Sequence, residues 1–340
     1  GSATASSSDA PSPPIHPLER SDDRSEMRSI LITTAHGMFG GALLHHLRGR
    51  DGVRIRAMVR SRGPEDVDAD GVEFVEADLD RPETLAAVAG ELTDVFLVTP
   101  MDDRIEARER AVVDAVAAAS PGARVMKLHG AVNHAGDALS LQHEGSIEHL
   151  KASGLAWTLL SPNSVMETSL LPFVDTIEEG AVFGTSADGR VGLVALDDCA
   201  RVGATAITSD EHLGEDLVVT GPEALAMSEV CERFSAALGR TITYYDLPED
   251  KLTSLLVEHG EFPDEEAVET AVLCHYRAWK HGGADVVTDT VERVTGSPSV
   301  RLDDWIGRHM DAFGRGRGAK DHVLGWLMRL EFGKYAHRAA

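Results

Sequence analysis

A run of apolar residues that leads into a glycine-containing turn constrains the fold of this 340-residue chain more than any other feature. The stretch is ILITTAHGMFG, residues 30–40. Its continuous apolar half is typical of a strand buried on both faces of a parallel sheet. In its second half, Gly37 and Gly40 stand where backbone must approach a phosphate or a helix must approach the strand. The stretch predicts a dinucleotide-binding turn, although Thr34 replaces the first glycine of a three-glycine fingerprint.

Short strands and helices alternate after this turn. We predict further strands at residues 53–59, 71–77, 94–98, 123–128 and 155–160. We predict helices between them at residues 41–48, 84–89, 105–119 and 142–153. This alternation predicts an α/β fold with a parallel, doubly wound sheet. Ligands bind such sheets outside the carboxyl ends of the strands.

The predicted strand ends supply the candidate cofactor residues. Arg60 and Arg62 follow the second strand, where a basic residue accommodates the 2′-phosphate of NADP and an acidic one bonds the ribose of NAD. Arg60 therefore favours NADP(H) over NAD(H), unless it is a solvated loop arginine. Asp78 either reaches the adenine or caps the next helix. The full candidate set is Thr34, His36, Gly37, Met38, Phe39, Gly40, Arg60, Arg62, Asp78, Leu79, Thr99, Pro100, His129, Pro162 and Asn163.

The charge and the cysteine content of the chain argue against several classes of binding partner. The formal net charge of -24 argues against binding to nucleic acid or to an anionic membrane, and indicates a solvated acidic surface. No apolar run approaches the length of a membrane span. The cysteines are far apart and lack metal-ligand spacing, which predicts a reduced, cytoplasmic protein without a metal site. They are Cys199, Cys231 and Cys274.

A series of segments, taken in order, resembles the NmrA-like branch of the atypical short-chain dehydrogenases/reductases. The segments are TTAHGMFG, MVRSRG, EADLD, FLVTP, SGLAWTLLSPNSVMET, LVALDDCA, VVTGPEALAMSEV with ALGRTITYYDLP, and VTGSPSVRLDDWIGRHMDAF. The resemblance covers residues 27–313. It implies a Rossmann-like doubly wound sheet that binds NAD(P) and a smaller C-terminal α/β lobe that closes a substrate cleft. The chain departs from the family pattern at Thr34, His36, His129 and Ser161.

These observations predict four parts of the chain. Residues 1–26, rich in Ser and Pro, are expected to be disordered and begin with a typical expression tag. Residues 27–163 are expected to form the NAD(P)-binding Rossmann core. Residues 164–313 are expected to form the substrate lobe and to return elements to the core. Residues 314–340 are expected to be a basic linker and an amphipathic helix that docks on the body, joins a homodimer or covers the substrate mouth.

The YxxxK pair of typical short-chain dehydrogenases is absent. In that pair the lysine lowers the pKa of a tyrosine hydroxyl, which exchanges a proton with the substrate. The equivalent helix offers His143 and Glu144 instead. If the resemblance holds, His143 and His129 face the nicotinamide, where a histidine can act as acid or base. The alternative is that each histidine has only a structural role, as a hydrogen-bonded polar residue at the end of a helix or strand.

The substrate pocket and the reaction are less constrained by the sequence. The candidate pocket residues, which are equally consistent with ordinary core, are Met101, Met166, Leu170 and Phe173. The first functional hypothesis is an NADP(H)-dependent reductase of a C=O, C=N or conjugated C=C in a small aromatic or polyketide-like metabolite. The second is a non-redox cyclase, isomerase or dehydratase that uses His/carboxylate catalysis. The third is an NADP(H)-sensing regulator that binds the cofactor without turning it over.

Overall fold

Two sheets and a short two-stranded ribbon organise the computed structural model, which describes residues 27–132, 138–258, 260–313 and 336–337. In chain order the strands are β1 (Arg28–Ile32), β2 (Val53–Val59), β3 (Val72–Glu76), β4 (Asp94–Leu97), β5 (Arg124–Leu128), β6 (Ala156–Pro162), β7 (Ala181–Gly184), β8 (Arg190–Val191), β9 (Asp216–Val219), β10 (Leu225–Ala226), β11 (Thr243–Asp246) and β12 (Ala336–His337).

The α-helices of the described residues flank these sheets. In chain order they are α1 (Met38–Leu47), α2 (Ile105–Ala119), α3 (Ala138–Ala152), α4 (Met166–Leu170), α5 (Val174–Glu178), α6 (Leu196–Ile207), α7 (Met227–Leu238), α8 (Glu249–Glu258), α9 (Glu265–Val268), α10 (Cys274–Lys280), α11 (Thr290–Thr295), α12 (Leu302–Arg308) and α13 (Met310–Phe313). Two 3₁₀ turns, Pro82–Ala87 and Leu171–Phe173, and a π-helical turn, Glu269–Leu273, complete the set. None of the described helices has the length and apolar character needed to cross a membrane.

The large sheet is parallel and has the strand order β3-β2-β1-β4-β5-β6-β9. The predicted doubly wound sheet is therefore confirmed. The strand order reverses between β1 and β4, so a crevice opens where the carboxyl ends of these two strands diverge. Ligands of doubly wound proteins bind at such a reversal.

Both faces of this sheet are covered, which explains the unbroken apolar character of β1. Ile30 and Ile32 pack in one core cluster with residues of α1, α6 and α11. Leu31 points to the opposite face and packs with residues of α2 and α3. Because side chains alternate across a strand, a strand between two helical layers needs apolar residues at every position.

A smaller lobe has its own core around β7 and β11, which pair in parallel. Phe234 of α7 and Phe313 of α13 meet there with ring centroids 4.9 Å apart. Glu167 of α4 joins this lobe to the large sheet's helices, since one carboxylate oxygen accepts from Trp305 Nε1 at 2.9 Å and the other from the Leu196 N–H at 2.9 Å.

Several predicted elements need correction. The predicted helix at 84–89 is a 3₁₀ turn that begins at a proline. The strand β7 was not predicted from the sequence. Within the predicted C-terminal helix, Ala336–His337 form a strand that pairs with Tyr244 and Tyr245 of β11, because the edge of β11 offers backbone hydrogen bonds. The rest of that helix and the predicted disordered segment at 1–26 lie outside the described residues.

A buried ion pair secures the amino-terminal edge of the large sheet. The Arg124 guanidinium contacts Asp94 Oδ1 at 2.6 Å, and both side chains are almost fully buried. It also donates to the carbonyls of Ala206 at 3.0 Å and Ser209 at 2.6 Å, and to that of Ile207. These carbonyls belong to the C-terminal end of α6 and the residues just after it, so one side chain both pairs a buried charge and satisfies the end of a helix.

We expect Arg124→Met to destabilise the protein by about 3–5 kcal/mol. Asp94 would keep Arg28, at 3.2 Å, as its ion-pair partner but lose the more deeply buried one, and the carbonyls at the end of α6 would lose a donor. Urea unfolding followed by circular dichroism measures this change. Arg81→Met is the control, since Arg81 pairs with Glu83 where both side chains are about two-thirds exposed, and such a pair contributes about 0–1 kcal/mol. Equal unfolding midpoints for the two variants would contradict the role of Arg124.

Candidate active site

The turn between β1 and α1 brings the helix into direct contact with the strand. A Cβ atom on Gly40 would lie 2.0 Å from the carbonyl oxygen of Thr34, so a glycine is required there. Gly37 precedes α1 and supplies no side-chain cap, which leaves the first N–H groups of the helix to a ligand. Thr34 is not among the residues with positive φ, so a threonine replaces the first glycine without backbone strain.

A hydroxyl bridge joins this turn to the end of β4. Thr33 Oγ1 donates to the carbonyl of Val98 at 2.6 Å and accepts from the Val98 N–H at 3.0 Å. The bridge is buried, so it fixes the relative position of the two strand ends that border the crevice.

The loop after β2 separates the two candidate arginines. Arg62 is held within the loop, because its guanidinium contacts Asp68 at 2.9 Å and donates to the carbonyl of Asp66 at 2.8 Å. Arg60 is exposed at the carboxyl end of β2 and lies in the electrostatic field of Asp80. Of the two, Arg60 has the guanidinium that can turn to a phosphate without breaking a described ion pair.

His36 ties the turn to the same loop. Its Nε2 lies 2.6 Å from Asp66 Oδ1, and the Gly63 N–H donates to the other oxygen of that carboxylate at 2.8 Å. The Gly63 N–H bond and His36 lower the pKa of Asp66. Glu65 lies close by, and the possible ligand atoms of His36, Glu65 and Asp66 are within 4.8 Å of one another. The His36–Asp66 hydrogen bond holds two of these three residues together.

The carboxyl ends of β3 and β4 carry the next candidates. Asp78 accepts from the Asp80 N–H at 3.0 Å, so its carboxylate closes a local turn. Leu79 is buried in the core and does not line the cleft. Thr99 lines the cleft and donates to Glu109 Oε1 at 3.2 Å, whereas Pro100 is exposed outside it.

A cleft of about 1610 Å³ lies between the carboxyl edge of the large sheet and the smaller lobe. The predicted site residues that line it are Met38, Phe39, Thr99, Met101, His129, His143, Pro162, Asn163 and Phe173. The wall of the cleft that the smaller lobe forms carries aromatic side chains. These are Phe173, Phe183, Phe262, Tyr276 and Trp279.

Besides Leu79 and Pro100, three more predicted site residues need correction. Met166 and Leu170 are each 1% exposed and pack in the core of the smaller lobe, because the inward face of α4 points to that core and not to the cleft. Glu144 is exposed and does not line the cleft, because it follows His143 on α3 and one residue of helix turns its side chain by about 100°. These three residues are replaced as candidates by two that sequence reasoning missed.

The missed residues are Lys127 of β5 and Glu109 of α2. Lys127 Nζ lies 2.8 Å from Glu109 Oε2, and the two side chains are 0% and 2% exposed. Lys127 Nζ also lies 3.1 Å from His143 Nδ1. Burial lowers the pKa of Lys127, while the charge of Glu109 opposes that change. The available signal was a lysine inside RVMKL, a strand expected to be buried on both faces.

The two candidate histidines lie against each other at the cleft. The rings of His129 and His143 meet edge to face with centroids 5.2 Å apart. The backbone N–H of His129 donates to the Leu160 carbonyl at 2.9 Å, which holds the residue at the carboxyl end of β5. Histidine, lysine and carboxylate are thus brought together from α3, β5 and α2 at the edge where doubly wound sheets bind ligands.

Residues 34–209, which include the turn, the crevice and the buried lysine, match the family model described as NAD(P)H-binding. The chain belongs to this NAD(P)H-binding family. The predicted membership of the NmrA-like atypical short-chain dehydrogenases/reductases and the predicted nicotinamide cofactor class are confirmed, and this is a family of NAD(P)H-dependent oxidoreductases.

Two relatives match this NAD(P)H-binding chain along nearly their whole length. It is 27% identical over 290 residues to the NAD(P)H azoreductase of Xenophilus azovorans, which covers 84% of this chain and 99% of the relative. It is 30% identical over 289 residues to the (4-alkanoyl-5-oxo-2,5-dihydrofuran-3-yl)methyl phosphate reductase of Streptomyces griseus, with the same coverage of 84% and 99%.

A solved structure shares the fold. The NADPH-dependent quinone oxidoreductase of Escherichia coli, in complex with NADPH, matches with a TM-score of 0.73 and 21% identity. The match covers 82% of this chain and 99% of that one.

We expect Gly40→Ala to destabilise the protein by about 1–3 kcal/mol or more, because the new methyl group would push α1 away from Thr34. The same displacement should abolish NADPH binding. Thermal unfolding and calorimetric titration measure the two effects. Gly90→Ala is the control, since a Cβ there meets nothing within 4 Å and the backbone φ is not positive. Normal NADPH binding by Gly40→Ala would show that the close helix–strand contact is dispensable.

Proposed function

We propose that the protein is an NADPH-dependent reductase of a C=O, C=N or conjugated C=C bond in a small molecule, with His143 as the proton donor. The observation that carries this proposal is the position of His143 at the cleft, with its Nδ1 held by a buried lysine. Bound NADPH supplies the hydride. Residues 27–163 bind the cofactor in this proposal, and residues 164–313 close over the substrate.

The residues at the crevice fit a dinucleotide. The N-terminus of α1 at Gly37 and Met38 would hold the pyrophosphate, as oriented N–H groups favour an anion there. Arg60 would face the 2′-phosphate, which an arginine can bind through two parallel hydrogen bonds. The nicotinamide would lie near Thr99 and His129, beside His143.

The walls of the cleft support a bulky aromatic substrate. Phe173, Phe262 and Trp279 lie on the cleft wall formed by the smaller lobe, and a flat aromatic substrate can stack on their rings. Carboxylates outnumber basic side chains along the same wall, and they favour a neutral or cationic substrate over an anionic one. These carboxylates are Asp175, Glu179, Glu258 and Glu261.

The relatives support the same reaction class. The Xenophilus protein is named as an azoreductase and the Streptomyces protein as a reductase of an oxo-dihydrofuran. The Escherichia coli structure is of a quinone oxidoreductase. The names of the Xenophilus and Streptomyces proteins describe a reduction, and those of the Xenophilus and Escherichia coli proteins include a nicotinamide cofactor.

We expect His143→Ala to lower the rate of NADPH oxidation by about 10²–10⁴-fold while NADPH binding stays within a few-fold of wild type, since the residue donates a proton and does not hold the phosphates. The assay follows NADPH absorbance with a panel of neutral quinones, azo compounds, cyclic enones and imines. His149→Ala is the control, because His149 lies on the same helix and pairs with Asp114 away from the cleft.

Full activity of His143→Ala would remove the assignment of the proton donor. Tight NADPH binding by the wild-type protein, without oxidation by any member of the panel, would favour the non-redox or the sensing hypothesis.

We expect Arg60→Ala to weaken NADPH binding about tenfold or more and to leave NADH binding unchanged, since a charge-assisted contact to the 2′-phosphate contributes about 1.5–3 kcal/mol. Calorimetric titration with both cofactors measures the ratio. Arg54→Ala is the control, because Arg54 is exposed on the same strand near its amino end. An equal loss for NADH and NADPH would mean that Arg60 does not recognise the 2′-phosphate.

A further inference from the structure

A buried ion pair lies behind the proposed proton donor and has no part in the reaction as proposed so far. Lys127 and Glu109 are almost completely withdrawn from water. Such a pair is weak evidence for stability, because its desolvation offsets much of its attraction and apolar side chains of the same size often serve as well. A charged pair at the wall of a catalytic cleft therefore calls for a chemical explanation.

Three polar atoms lie within 3.1 Å of the Lys127 ammonium nitrogen. Its Nζ lies 2.8 Å from Glu109 Oε2, 3.1 Å from the Leu128 carbonyl oxygen and 3.1 Å from His143 Nδ1. An ammonium group donates three hydrogen bonds and accepts none. His143 Nδ1 must therefore be an acceptor, so the neutral imidazole carries its proton on Nε2.

Glu109 is held as firmly as the lysine. Its second carboxylate oxygen, Oε1, accepts from the Thr99 hydroxyl at 3.2 Å. Thr99 lines the cleft at the end of β4. The ion pair is thus fixed from β4, α2 and β5, and it presents one proton to one nitrogen of the histidine.

We propose that Glu109, Lys127 and His143 form a proton relay that delivers a proton to the substrate. The relay rests on the proposed function. The Nε2–H bond of His143 breaks and its proton passes to the substrate oxygen or nitrogen that becomes negative as the neighbouring carbon is reduced. A proton of Lys127 Nζ passes at the same time to His143 Nδ1.

The charges balance across this step. The imidazole is neutral before and after it, with its proton moved from Nε2 to Nδ1. Lys127 becomes a neutral amine, and Glu109 remains a carboxylate that favours the return of the proton. A solvent proton then enters at Nε2, the Nδ1 proton returns to Lys127, and the starting state is restored.

The surroundings of Lys127 suit a proton donor. The ionisable groups that face it among the described residues are Glu109 from α2 and His143 from α3, and the His129 ring lies edge to face against the His143 ring. Burial lowers the pKa of Lys127, which makes its ammonium a stronger acid than an exposed lysine. The negative charge of Glu109, 2.8 Å away, acts in the opposite direction and favours the ammonium form.

The first test is the pH dependence of turnover in Lys127→Met. With Lys127 the relay delivers a proton while His143 stays neutral. Without it, His143 must itself be protonated, so the descending limb of the rate profile should move to near an ordinary imidazole pKa of about 6.5. Turnover of the variant at pH 8 should then be roughly 30-fold below its value at acid pH.

Lys127→Arg separates proton transfer from positioning. Arginine keeps the positive charge and the donor to Nδ1 but does not release a proton. The relay predicts low turnover for Lys127→Arg, whereas a purely positioning role predicts recovery. If Lys127→Met does not fold because Glu109 is left unpaired, Glu109→Gln/Lys127→Met removes both charges and takes its place. His149→Ala is the control and should keep the wild-type profile.

The second test does not depend on activity. In cofactor-free protein labelled with ¹⁵N-histidine, long-range ¹H–¹⁵N spectra report the tautomer of each imidazole. We expect the neutral His143 signal to show the proton on Nε2 in the wild-type protein and to lose this preference in Lys127→Met. His149 should be unchanged between the two.

An unshifted pH profile together with an unchanged His143 tautomer in the lysine variants would overturn the relay. Recovery of turnover in Lys127→Arg would overturn the proton-transfer step and leave Lys127 as a positioning residue. Failure of the wild-type protein to oxidise NADPH with any substrate would overturn the proposed function. The tautomer measurement would still decide whether Lys127 controls His143.

Discussion

The close approach of α1 to the end of β1 is the contact on which the rest of the site depends. Gly40 packs directly against the Thr34 carbonyl, so the helix N-terminus is brought to the edge of the sheet. The hydroxyl of Thr33 then links that edge to the end of β4. Because β4 and β5 are neighbours in the sheet, the same edge also positions Lys127 and His129. The close contact at Gly40 thus places the N-terminus of α1, proposed to bind the cofactor, at the same sheet edge as the residues proposed to act on the substrate.

The sequence was sufficient to predict the large sheet and its ligand-binding edge. Apolar runs such as that around Ile30 have one physical explanation, burial on both faces, and their alternation with helices leaves few topologies. The smaller lobe was harder, because β7 has only four residues and pairs with β11, which lies far away in the chain. Local pattern carries no information about such a distant partner. The short strand at Ala336–His337 was missed for the same reason.

The sequence identified two histidines that line the cleft but missed the buried pair of Lys127 and Glu109. His129 follows from the end of a predicted strand, and His143 from the helix that carries the YxxxK pair in typical short-chain dehydrogenases. The proposed role of Lys127 depends instead on which residues of α2 and α3 face β5. That orientation is a property of tertiary packing, and the pattern of α3 is only weakly amphipathic. The lost tyrosine–lysine pair therefore obscured an arrangement in which a lysine from a strand supports a histidine from a helix. In this chain the lysine lies next to the histidine that we propose as the proton donor, as it lies next to the tyrosine in the pair.

The pairing of Ala336–His337 with β11 also has a consequence for handling the protein. These two residues cover one edge of the small sheet, and an uncovered edge offers backbone donors and acceptors to any neighbouring strand. Shortened versions that stop near residue 313 would bare that edge at Tyr244 and Tyr245. They would be prone to self-association, so low solubility of a truncated sample would reflect edge pairing and not a defect in the cofactor-binding sheet.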